Sequence, residues 1–243
     1  LAQRFFVFAL IPIGVYGIHK ALKSFDVPAR AVLVGSLTYG LTAMGIEIFE
    51  LGKLSALVTI AALPYFIDGL LNTKQRKAGL SAAVIVAFNP AALIVLAAIT
   101  LVYLVVGEAQ GGLTKKLKTV FFALVVAAIV NIGLIYDSVF RIDRSGLGLS
   151  RQADSFKDYF LNSNVSRSLA LALALICVVA LVISRGQKTA LLKVSLVSAC
   201  TLSAVSMVLI SYGETTFDVS NIFILGLIAL ATSAALCFSA FSD

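Results

Sequence analysis

Residues 77–107 read KAGLSAAVIVAFNPAALIVLAAITLVYLVVG. After Lys77 no charged side chain interrupts the stretch, and it is longer than the roughly 20 apolar residues that cross a hydrocarbon core of about 30 Å. Asn89-Pro90 falls near its middle. Proline removes a backbone donor and disfavours helix at the residue before it. The stretch therefore predicts a short or re-entrant helix over 78–88, a break, and a longer partner over 90–107.

Working outward, further apolar stretches lie at 5–18, 31–49, 54–71, 119–136, 168–184, 191–212 and 221–241. Together they predict an all-α, polytopic transmembrane helical bundle of about eight spans, with one broken helix or hairpin at 78–107. Hydrophobic residues make up 60% of the chain, charged residues 13%, and mean hydropathy is +1.03. Soluble domains carry about a quarter charged residues. The spans consume most of the sequence, so residues 1–243 read as a single integral membrane domain with an extramembrane loop at 137–167.

The basic residues act as topology determinants. Lys20, Lys23 and Arg30 follow the first span, Lys74, Arg76 and Lys77 the third. Lys115, Lys116 and Lys118 precede the fifth, and Arg185, Lys188 and Lys193 join the sixth to the seventh. Placing all four clusters in the cytoplasm requires 78–107 to enter and leave on one side. The N-terminus and the 137–167 loop are then outside and the C-terminus inside. The net charge of +7 is spread over these links, which fits anionic headgroups and not nucleic acid. The expected setting is a bacterial or archaeal cytoplasmic membrane. Expected partners are membrane lipids, a lipid-linked substrate, and further copies or other membrane subunits.

Cys177, Cys200 and Cys237 lie within apolar spans, and His19 is the only histidine. That pattern calls for no metal and no cofactor. Nucleophile elbows, phosphate-binding glycine loops and Asp-rich prenyl-transfer motifs are also missing.

Two groups of residues are able to carry chemistry. The first is the 137–167 loop. There Arg141, Arg144 and Arg151 suit bidentate recognition of a lipid phosphate, and Asp143 or Asp154 suits general-base work on an acceptor hydroxyl. The second is a set of polar residues in or near the spans: Glu47, Asn89 and Asn131, with Pro64 and Pro90 as helix breakers. Broken helices and intramembrane polar groups line substrate paths in transporters. Glu50, Asp68 and Asp137 stand close enough to span ends to reach water.

The run Lys77-Ala78-Gly79-Leu80 through Ala87-Phe88-Asn89-Pro90-Ala91-Ala92-Leu93-Ile94 leads to a basic link and an apolar helix from Thr119. Over residues 77–120 it resembles the short-helix, proline, long-helix passage of membrane glycosyltransferases that use polyprenyl-linked sugars (the GT-C superfamily), or of O-antigen-type polysaccharide polymerases. That resemblance implies an enzyme of envelope glycan assembly. Such enzymes carry an acidic motif in a sizeable first external loop. The 19–30 link here holds only Asp26, so no family catalytic role transfers to a named residue. The expectations are a multi-pass transport protein moving a small solute, ion or lipid-like cargo, a glycosyltransferase or polymerase, or a non-catalytic membrane subunit.

The side of the 137–167 loop separates the two topologies. With the native cysteines replaced, Ser145→Cys and Ser155→Cys should react with an impermeant thiol reagent on intact cells. Reaction only after lysis would mean that 78–107 crosses once.

Overall fold

In a computed structural model, the described residues are 2–44, 54–90, 92–106, 112–133, 178–180, 182–183, 187–211 and 220–242. Among them the architecture is all-helical. The principal helices are α1 (Ala2–Lys23), α2 (Ala29–Met44), α3 (Leu54–Leu71), α4 (Gln75–Phe88), α5 (Ala92–Val106), α6 (Gly112–Val130), α7 (Ala190–Ser211) and α8 (Ser220–Ser242). A 3₁₀ turn, Gln187–Thr189, leads into α7.

The proline at position 90 has the expected local effect. Helix α4 stops at Phe88, Asn89 leaves helical geometry with φ −141° and ψ 81°, and helix resumes at Ala92. The Asn89 N–H still donates to the Ile85 carbonyl at 2.8 Å, which closes the last turn of α4.

Helix α3 packs along α1 and α4, α4 along α6, α2 along α1 and α8, and α7 along α8 and α5. Named contacts give the directions. Leu22 approaches Gly35 and Val15 approaches Gly40, so α1 and α2 are antiparallel. Gly14 lies beside Ile60 and Ala61, and Ser24 bonds Asp68, so α1 and α3 run parallel. Gly79 meets Phe122 and Val126, and the Ala83 carbonyl accepts from Asn131, so α4 and α6 also run parallel. Helix α5 between them must return, which puts residues 75 and 106 at one end of the bundle. That end gathers Lys20, Lys23, Arg30, Lys74, Arg76, Lys77, Lys115, Lys116 and Lys118. It is called the basic end below.

Small residues set the closest helix contacts. A Cβ on Gly69 would sit 2.7 Å from the Ala78 backbone nitrogen, and one on Gly35 would sit 2.7 Å from the Ala231 carbonyl oxygen. Facing outward instead are rows of large apolar side chains at helical spacing: Leu33, Leu37 and Leu41 on α2, and Leu80, Val84 and Phe88 on α4. Contiguous exposed apolar surface of this kind marks a membrane or partner-contact face. By length and composition, Leu54–Leu71 and Ile224–Phe241 are able to cross a membrane. Much of the expected sixth span, 168–184, lies outside the described residues, as do the segments 45–53 and 134–177.

Pro64 lies inside α3, where it removes the N–H that would bond the Ile60 carbonyl. Tyr39 of α2, fully buried, donates its hydroxyl to that same carbonyl at 2.7 Å. A side chain from a neighbouring helix thus replaces the missing helical donor. Tyr39→Phe should cost about 1–3 kcal/mol, the penalty for stranding a buried acceptor. In a Pro64→Ala background, which restores the N–H, the same change should cost far less. A double-mutant cycle read by denaturant unfolding checks the coupling, and equal costs in both backgrounds would sink it.

Candidate functional site

Three arrangements stand out, each at a different place in the bundle. The first is at the basic end. Asp68, in the last turn of α3, is 1% exposed and pairs with Lys77 of α4, whose side chain is 19% exposed. Its other oxygen accepts from Asn72 Nδ2 at 2.7 Å and from Ser24 Oγ at 3.0 Å. Asn72 also reaches the Ser24 hydroxyl at 3.0 Å. The Lys77 ammonium lies 5.0 Å from the centre of the Tyr65 ring, which adds a cation–π contact. The sequence reading placed Asp68 near enough to a span end to meet water. The structure overturns this: Lys77, Asn72 and Ser24 converge on the carboxylate and cover it.

The second arrangement surrounds the helix break. Asn89 is buried, and its amide nitrogen lies 3.4 Å from the Thr59 hydroxyl of α3. Asn131, also buried, donates to the Ala83 carbonyl of α4 at 3.1 Å and to Ala127 at 2.9 Å. Two sequence candidates therefore fall on the same part of the fold, because both attach to α4 or its end. They do not touch a common group. Beyond the break, Tyr103 of α5 and Ser198 of α7 are buried, and their hydroxyls have no hydrogen-bond partner among the described residues. These helices pack against each other. Lys116 lies 5.5 Å from the centre of the Tyr103 ring.

The third is a groove of about 460 Å³ on the outer side of α1, lined by Ile11, Pro12, Val15, Tyr16 and His19. His19 Nδ1 is 3.4 Å from the Ser36 hydroxyl, whose own proton goes to the Val32 carbonyl at 2.7 Å.

Glu47 and the loop candidates Arg141, Asp143, Arg144, Arg151 and Asp154 lie outside the described residues. The sequence reading missed Tyr103, Ser198 and the Asp68–Lys77 pair. A tyrosine or serine inside an apolar run carries no signal of whether its hydroxyl will find a partner. Lys77 and Asp68 sit nine positions apart across a turn, a spacing that no helical rule marks. No family model, curated protein or solved structure matches the chain.

The Asp68 cluster is fully partnered, so its chemistry is structural. Removing one member strands the other charge. Asp68→Asn or Lys77→Met alone should destabilise by about 3–5 kcal/mol, while the double change should recover most of the loss. Thermal unfolding of the three variants checks this. A double variant no better than the singles would mean that the ion pair itself is not what holds the helices.

Proposed function

We propose that the chain is a multi-pass integral membrane protein, with the about eight spans read from its sequence, that moves a small solute, ion or lipid-like cargo. Its membrane character is supported by the outward rows of leucine on α2 and α4 and by the two helices long and apolar enough to cross. The observation that carries the transport reading is the broken helix and the unpaired polar groups beyond it. A buried hydroxyl without a partner costs about 1–3 kcal/mol. In a bundle where neighbouring hydroxyls are satisfied, Tyr103 and Ser198 offer bonding capacity to something else. Asn89 and Thr59 stand at the break, where helix ends expose backbone groups as broken helices do in transporters. The path runs from Asn89 along the seam between α5 and α7.

The glycosyltransferase reading depends on Arg141, Arg144, Arg151 and the aspartates beside them, so it enters as the competing outcome. Both readings predict a ligand that stabilises the folded state, by about 2.7 kcal/mol at one hundred times its Kd. Thermal unfolding of detergent-solubilised protein is followed with a panel of small polar and ionic solutes, and separately with a long-chain polyprenyl phosphate.

A solute in the panel should raise Tm. Tyr103→Phe and Ser198→Ala should abolish that rise while leaving the unliganded Tm unchanged or higher, since each removes an unpaired buried hydroxyl. Stabilisation by polyprenyl phosphate alone, lost when the loop arginines become lysine, would favour the glycan enzyme. Variants that keep the solute response would refute the seam as the path.

A further inference from the structure

The stripe Pro12, Tyr16, His19 and Lys23 follows a single line on α1, because these positions recur at the helical period. The line runs about 16 Å along the axis. Its first part is the floor of the apolar groove, with Tyr16 59% exposed and Ile13 46% exposed beside it. Its last part is cationic and stands at the basic end, flanked by exposed Lys20 and, at the start of α2, exposed Arg30. Among the described acids at this end, Asp68 is committed to Lys77 and Asp26 is the other. An apolar trough that ends in positive charge has the polarity of one amphiphile, an acyl chain beneath an anionic headgroup.

The geometry points to a binding site for an anionic phospholipid on the outer side of α1. Its acyl chain lies along Ile11, Pro12, Val15 and Tyr16, and its phosphate is met by Lys20 and Lys23. His19 lies between the trough and the lysines, its Nδ1 3.4 Å from the Ser36 hydroxyl. Lys20 and Lys23 add charge at the interface, where each cation near an anionic surface contributes about 1 kcal/mol. The site rests on the membrane reading above, but it is separate from the transport seam and does not depend on it.

The chain contains no tryptophan, so one introduced indole reports its own surroundings. Tyr16→Trp is reconstituted in phosphatidylcholine bilayers containing either brominated phosphatidylglycerol or brominated phosphatidylcholine, and fluorescence quenching is titrated. Leu41→Trp, on the outer face of α2 and 69% exposed in the native side chain, is the reference.

The brominated anionic lipid should quench Tyr16→Trp at a several-fold lower mole fraction than the neutral one. The reference should respond to both alike. The preference should vanish with Lys20→Gln and Lys23→Gln combined, and survive Lys115→Gln with Lys118→Gln.

Equal quenching of Tyr16→Trp by both lipids overturns the site, as does a preference that survives the first set of changes. Equal sensitivity to the α6 lysines also overturns it, since the attraction would then belong to the diffuse field of the basic end. A reference indole quenched by neither lipid would instead sink the membrane reading. Ile13→Trp repeats the measurement if Tyr16→Trp does not fold.

Discussion

A carboxylate placed in an apolar interior has to be matched where it stands, because its desolvation is too costly to leave open. Asp68 meets that demand with groups from three places: Lys77 of α4, Asn72 of the turn and Ser24 at the end of α1. This one match fixes the register of α1, α3 and α4. It also brings the C-terminus of α1, with Lys20 and Lys23, level with the start of α4, with Lys74, Arg76 and Lys77. Asn131 extends the alignment by tying α6 to α4 through the Ala83 carbonyl. The gathering of cations at one end then follows from helix register. It needs no attraction among the cations, which repel one another.

The same rule organises the rest of the interior. Ser36, Thr59, Ser195 and Thr232 each return a hydroxyl proton to the carbonyl four residues earlier. They thereby sit in apolar surroundings without stranding a donor. Tyr39 does the equivalent across helices, at the one α3 carbonyl that Pro64 leaves without its helical N–H. Against that background the hydroxyls of Tyr103 and Ser198 are exceptions. Their weight comes from how consistently the neighbouring groups are satisfied.

The all-helical character was legible in the apolar runs, and the break was legible in Asn89-Pro90, since both are local properties of the chain. The basic links were legible for the same reason. The partner of a polar residue was not. Tyr39 and Ile60 are 21 positions apart and Asn131 and Ala83 are 48 apart, and no periodicity connects them. Helix faces were unreadable too. When leucine serves both as packing and as outer surface, Leu33 on α2 and Leu57 on α3 look alike in sequence, yet one is exposed and the other buried. For Asp68, distance from the span end suggested water, whereas the turn at 72–74 folds Lys77 back over it.

Charge gives the proposed seam and the proposed lipid site a common selectivity. Lys116 belongs to the basic end, yet it lies over the ring of Tyr103, whose hydroxyl is unpaired among the described residues. A fixed positive charge beside a buried hydroxyl raises the cost of bringing a cation there and lowers it for an anion, and low-dielectric walls strengthen the effect. At the groove, Lys20 and Lys23 act in the same direction on a headgroup. On the proposed transport reading, cargo that reaches Tyr103 from the basic end meets that positive field. That favours an anionic or neutral polar solute over a metal cation or an amine.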